Sequence, residues 1–166
     1  MIQEGIKDEI FSEGDAYFCS KCDTKVSSAT KSLTLQKLPS ALLITLNRFY
    51  FDKKTLQKEK VLTPVNIPST LSMDGQNFNL YSIVIHAGRS ANFGHYYTVS
   101  KEANTEGPWR IFNDASVTEL SGTIEMFLSN LHQKFLNDPP YILAYAKVNS
   151  SALEFKLPEN LRHYVI

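Results

Sequence analysis

An α+β fold built on an antiparallel sheet is what this chain of 166 residues predicts, and three observations predict it. Strand-like segments follow one another in series with few helices between them. One well-marked helical segment appears late. Prolines and charged turns punctuate the crossings between strands. No internal repeat or low-complexity tract interrupts this order. With 43% apolar and 20% charged residues, the chain can bury a core as one domain or part of one.

The elements follow in sequence order. Ile2, Ile6 and Ile10 at four-residue spacing predict a short helix between Ile2 and Phe11. From Tyr17 the pattern is mostly extended, and Ser32 to Gln36 alternates. Ala41 to Phe51 is rich in apolar and aromatic residues at strand length and reads as a strand buried on both faces. Asp52 to Lys60 forms a charged turn, and Pro64 and Pro68 argue against a central strand in the next crossing. Tyr81 to His86, Tyr96 to Ser100, Trp109 to Phe112 and Tyr141 to Val148 are further strand candidates. Between the last two, Ile124, Phe127, Leu128, Leu131 and Phe135 recur at helical spacing. Ser121 or Thr123 caps that helix, and Pro139-Pro140 ends it.

Charge restricts the choice of partner. Lys and Arg together number 17, as do Asp and Glu. Neither phosphate neutralisation nor a polybasic anchor is visible, so neither nucleic acid nor an anionic membrane is expected, and a protein partner fits better. No apolar run approaches the roughly 20 residues that span a bilayer, and Met1-Ile2-Gln3-Glu4 lacks the features of a secretory signal. Two closely spaced cysteines suggest thiols kept reduced or held by metal. The expected location is cytoplasmic or nuclear.

The most informative residues are Gly94-His95-Tyr96 and Trp109-Arg110-Ile111-Phe112-Asn113-Asp114. They pair a glycine-preceded histidine with an amide and a carboxylate, which is two thirds of a nucleophilic triad. A histidine acts as a dependable general base when a third group fixes its tautomer and orientation. A half-buried strand histidine is the bland reading of His95. The company of Asn113, and of a glycine that lets backbone pass close to a ligand, favours catalysis. Asn113 and Asp114 are adjacent, so in a strand their side chains point to opposite faces and only one can orient His95 directly. The bland reading of this pair is a polar strand end with an Asx turn. His86, His132 and His163 lack such neighbours and read as structural or solvent-facing. Cys19 and Cys22, at C-x-x-C spacing, read either as half a metal site or as two reduced thiols. Nothing in the sequence places either beside His95, so the chain holds a base without its nucleophile. Arg48 and Phe49 end the apolar stretch as a snorkelling cation on an aromatic anchor, and Tyr96 is a packed ring with a polar tip.

The order of Tyr17-Phe18-Cys19-Ser20-Lys21-Cys22, Leu38-Pro39-Ser40-Ala41-Leu42-Leu43-Ile44-Thr45-Leu46-Asn47-Arg48-Phe49, His86-Ala87-Gly88, Gly94-His95-Tyr96-Tyr97 and Trp109 to Asp114 resembles the ubiquitin-specific proteases. These are papain-like cysteine deubiquitinases, and the similarity runs from about Gly14 to Val148. The resemblance implies an antiparallel-sheet palm with partial fingers and thiol-dependent hydrolysis after the carboxy-terminal glycine of ubiquitin. It assigns His95 as the base, Asn113 as its orienter and Asp114 as support. Arg48, Phe49, Gly94 and Tyr96 then border the groove for the ubiquitin tail, and Asp52 to Lys60 sits where the family has a substrate-covering loop. No cofactor is implied for catalysis. A structural zinc is implied at Cys19 and Cys22, with two further ligands from outside this chain. The implied partners are ubiquitin, ubiquitinated proteins and an amino-terminal half. The family's amino-terminal cysteine box and first C-x-x-C have no counterpart, so residues 1–166 are expected to be the carboxy-terminal portion of such a catalytic domain. A catalytically inactive ubiquitin-binding or regulatory fragment is the alternative. A zinc-stabilised interaction module is a third reading, resting on the two cysteines alone.

Overall fold

The computed structural model describes residues 8–26, 28–134 and 137–149. The chain divides into two compact units between Leu38 and Pro39. The first holds four short strands, β1 (Glu9–Ile10), β2 (Tyr17–Cys19), β3 (Thr24–Val26) and β4 (Thr30–Lys31). β1 pairs with β4 and β2 with β3, both antiparallel. In the β2–β3 turn Asp23 adopts a φ of 52°, a left-handed conformation that Asp tolerates through local hydrogen bonding. The short helix expected near Ile10 gives way to a strand, since Ile10 pairs with Thr30. At Ile10 the backbone ladder with Thr30 prevails over apolar spacing, which is a weak helix signal in so short a segment. Residues 2–7 of that expectation lie outside the described ones. Ser32 to Gln36, expected extended, belongs to no strand.

The second unit holds β5 (Ala41–Thr45), β6 (Phe49–Asp52), β7 (Gln57–Lys60), β8 (Thr70–Met73), β9 (Gln76–Ala87), β10 (His95–Ser100), β11 (Arg110–Asn113), β12 (Ser116–Glu119), α1 (Ile124–Lys134) and β13 (Pro140–Lys147). An antiparallel sheet runs in the order β12-β11-β10-β9-β13-β5, with β8 also paired to β9, while β6 and β7 form a separate hairpin. Helix α1 buries Ile124, Leu128 and Leu131, a stripe at helical spacing. Its cap is Thr123, whose Oγ1 accepts from the Met126 backbone N–H at 3.3 Å. Phe135 lies outside the described residues. No helix among the described residues is long and apolar enough to cross a membrane.

The core lies along β9 and its neighbours: Phe78, Leu80, Ile83, Ile85, Val99, Leu143, Tyr145 and Ala146 are buried. The buried face of β9 switches from even to odd positions after Leu80. The register with β13 explains the switch. Ser82 opposes Ala144 while Leu80 opposes Tyr145, so Tyr81 is an extra residue on β9 and a bulge reverses the alternation. A second irregularity lies at Tyr141, between the pairs Pro140–Ile85 and Ile142–Val84.

The continuous apolar stretch Ala41 to Phe51 is not one buried strand. It divides into β5 and β6, which belong to different sheets. Leu43 is 65% exposed and Phe51 60%, whereas Arg48, the one charged residue of the stretch, is only 3% exposed. β5 ends the sheet order, so one of its edges is unpaired within the sheet. A hydrophobic run signals a capacity for burial, and the position of the strand in its sheet decides whether that capacity is used.

Candidate functional site

The site lies where β9 and β10 turn into each other. His95 begins β10 and pairs with Ala87 at the end of β9. β10 also pairs with β11 through Thr98–Phe112 and Val99–Ile111. Continuing that register sets Asn113 diagonally across from His95, within reach of a long side chain on the same face. Nε2 of His95 meets Oδ1 of Asn113 in a close hydrogen bond. In the tautomer that donates from Nε2 to this amide oxygen, Nδ1 is left unprotonated and able to accept a proton.

Asp114 does not follow the alternation expected of a continuous strand. β11 ends at Asn113, and Asp114 turns the chain toward β12 with a φ of 51°. Its Oδ2 comes within 3.9 Å of the same His95 Nε2. That distance is too long for a hydrogen bond but within reach of a charge. Only Asn113 touches the ring directly, and the carboxylate stands behind on the same side. The Asp114 side chain is 82% exposed, so water screens its field.

Gly94 is dictated by the protein's own packing. A Cβ there would fall inside the imidazole of His86 and within 2.6 Å of the Ala87 carbonyl oxygen. His86, 3% exposed, is buried beneath the site. Its ring faces Tyr96, its cross-strand partner, at 4.7 Å and meets Phe49 edge-on at 5.2 Å. Tyr141, at its irregular position in β13, adds its ring beside Phe49 and Tyr96 at 5.6 and 5.9 Å. Tyr96 therefore packs over this aromatic cluster, on the face of β10 opposite His95. Burial, with Lys60 and Lys58 nearby, lowers the basicity of His86, while Asp138 pulls the other way.

Arg48 does not snorkel to solvent. Its Nε donates to the Pro140 carbonyl at 3.0 Å, and Nη1 donates to the carbonyls of Val61 at 3.3 Å and Thr63 at 2.6 Å. The guanidinium thus joins three chain segments from inside, while the neighbouring Phe49 is partly exposed. Lys58 places its ammonium over the Phe49 ring at 5.0 Å.

In the first unit, Cys19 ends β2 and Cys22 lies in the turn that follows. Backbone hydrogen bonds from Cys22 and Lys21, and then the Cys22 side chain, hold the Cys19 thiol below its ordinary pKa. Among the described residues no group of three or more His, Cys, Asp or Glu side chains gathers to hold a metal.

Sequence reasoning brought His95, Asn113 and Asp114 into one site and missed what supports them. His86 read as unremarkable, and Tyr141 and Lys60 carried no signal. The one available clue was Gly94, whose lack of a side chain announced a close neighbour without saying that the neighbour was His86.

The family described as ubiquitin carboxyl-terminal hydrolase matches residues 10–145. Human ubiquitin carboxyl-terminal hydrolase 35 is 32% identical over 78% of this chain and 14% of its own length. Ubiquitin carboxyl-terminal hydrolase 48 of Danio rerio is 33% identical over 73% of this chain and 12% of its own. Among solved structures, a chain of the SAGA Ubp8/Sgf11/Sus1/Sgf73 DUB module bound to ubiquitin aldehyde superposes with a TM-score of 0.65. That match has 26% identity and covers 88% of this chain and 32% of the other. The chain thus spans a small part of the length of these relatives. Its antiparallel sheet with a single described α-helix is a partial α+β, papain-like fold of the same kind. On the strength of a match over most of its length, the chain belongs to the ubiquitin carboxyl-terminal hydrolase family.

Proposed function

We propose that residues 1–166 are the base-bearing, carboxy-terminal portion of a thiol-dependent deubiquitinase catalytic domain acting on ubiquitin and ubiquitinated proteins. The observation that carries this reading is the contact of His95 Nε2 with Asn113 Oδ1, which leaves Nδ1 to take a proton. In the assembled enzyme a cysteine from a segment outside this sequence attacks the carbonyl carbon of the terminal glycine of ubiquitin. Nδ1 of His95 accepts the thiol proton and returns it to the leaving amine, and the thioester is then hydrolysed by water that the same base activates. Asn113 holds the ring throughout, and Asp114 favours the imidazolium that forms. Phe49 and Tyr96 border the path of the ubiquitin tail, while Arg48 fixes the wall behind it. Cys19 and Cys22 supply two thiolates to a structural zinc whose other two ligands come from outside this sequence. A location in the cytoplasm or nucleus suits such an enzyme.

A second reading has its own support. Both cysteines precede Pro39, so the unit that carries His95 contains no thiol. That favours a catalytically inactive, ubiquitin-binding role for the chain alone. One experiment separates the two. The chain is incubated with ubiquitin carrying a fluorogenic carboxy-terminal amide, first alone and then with a cysteine-box segment from a relative. No turnover alone and turnover when combined are expected. Silence in both, with ubiquitin still bound, supports the inactive reading. Labelling of Cys19 or Cys22 by a thiol-reactive ubiquitin probe would overturn the assignment of those two residues.

A further inference from the structure

Lys60, the last residue of β7, is only partly exposed, and its side chain turns back onto the backbone. Its ammonium donates to three backbone carbonyls, those of His86 at 2.9 Å, Gly88 at 2.5 Å and Asn137 at 2.7 Å. Three converging acceptors match the three protons of an ammonium. Gly88 is held from its other side, because its N–H donates to Oδ1 of Asp138 at 3.2 Å. These contacts grip the start of the loop that connects β9 to β10 and delivers His95. The loop is pinched at its base. Gly88 has a φ of 115°, and a Cβ placed on it would come within 3.3 Å of Gly94 Cα. A shift at Gly88 is therefore passed to Gly94 and to the residue that follows it, His95.

We propose that Lys60, backed by Asp138, is a positioning residue for the candidate base, fixing through Gly88 and Gly94 the approach of the His95 ring to Asn113. This inference rests on the reading of His95 as the base, but its test needs no turnover, so the two fail separately. The clamp comes from hairpin β6–β7, which pairs with no strand of the main sheet. Lys60 therefore couples the placement of that hairpin to the geometry of the site.

The test compares Lys60→Met and Asp138→Ala with Tyr145→Phe in the full chain. Tyr145→Phe loses a buried hydroxyl bonded to the Pro68 carbonyl at 2.8 Å and serves as the stability control. The readouts are the ¹⁵N signals of the His95 ring, which report its tautomer, and amide hydrogen exchange across residues 88–94. Lys60→Met should turn the single Nε2–H tautomer into a mixture and speed loop exchange by about tenfold or more. Asp138→Ala should do the same to a smaller degree, and it decides the matter alone if Lys60→Met does not fold. Tyr145→Phe should lower the melting temperature and leave both readouts unchanged. Melting temperatures that fall in the Lys60 and Asp138 variants while the His95 signals stay as in the wild type would overturn the proposal.

Discussion

At the scale of single residues, this site is governed by two histidines with opposite surroundings. His95 stands half-exposed against an amide, and His86 lies buried among rings, with an unpartnered Nδ1 among the described residues. In the assembled enzyme His95→Ala should lower kcat on the order of 10²–10⁴-fold, the range that general-base catalysis supplies. Asn113→Ala should cost less, because some ring conformers remain productive without the orienter. Steady-state rates with the fluorogenic substrate decide this, and an undiminished rate in His95→Ala would end its catalytic reading. His86 makes a prediction about pH. Its pKa is lowered from the ordinary 6.5, chiefly by burial and then by Lys60 and Lys58 against the pull of Asp138. The unfolded chain therefore takes up the proton first as pH falls. The contribution of the neutral ring to stability is complete above 6.5 and is lost as pH drops from there through the lowered value. Thermal melts between pH 7.5 and 5 should show a steeper loss for the wild type than for His86→Phe, and parallel slopes would refute the assignment. Gly94→Ala should destabilise by about 1–3 kcal/mol in urea melts, since its methyl enters space that the His86 ring fills.

At the scale of elements, the side chains of Arg48 and Lys60 tie the β6–β7 hairpin to the main sheet, with which it shares no strand pairing. Arg48, just before β6, reaches carbonyls at Val61, Thr63 and Pro140. Arg48→Met keeps much of the volume and leaves those acceptors without their donors, so it should cost about 3 kcal/mol in a denaturant titration. Arg48→Lys should recover little, because one ammonium cannot reproduce the spread of the guanidinium fork. A loss below about 0.5 kcal/mol would mean that water replaces the arginine at no cost. For α1, Thr123→Ala should cost about 1 kcal/mol through the lost cap. Periodicity placed that helix correctly because Ile124, Leu128 and Leu131 form a local pattern. It failed for Ala41 to Phe51 because residue types alone do not report that the stretch turns between two sheets.

For the whole molecule, the exposed apolar residues set the behaviour in solution. Leu43 on edge strand β5, Tyr50 and Phe51 on β6, and Phe93 in the loop before His95 are all exposed. An open edge beside exposed apolar side chains promotes association. The chain should bind a hydrophobic dye and self-associate as its concentration rises, and Leu43→Glu with Phe51→Glu should weaken both effects. A dye-silent monomer at all concentrations in analytical ultracentrifugation would contradict this. By itself the sequence determined the α+β class, the four strands β9, β10, β11 and β13, the late helix and the proximity of His95, Asn113 and Asp114, because propensity, spacing and motif order are local properties that the chain displays directly. Tertiary structure alone decided that Arg48 is buried and that Lys60 turns back onto the backbone, that the His86 ring leaves no room for a side chain at Gly94, and that Asp114 shares the side of His95 taken by Asn113. Those outcomes depend on where distant backbone ends up. Arg48 finds Pro140 across 92 positions and Lys60 finds Asn137 across 77, and a carbonyl looks the same in every residue, so no side-chain pattern announces which one will accept the bond.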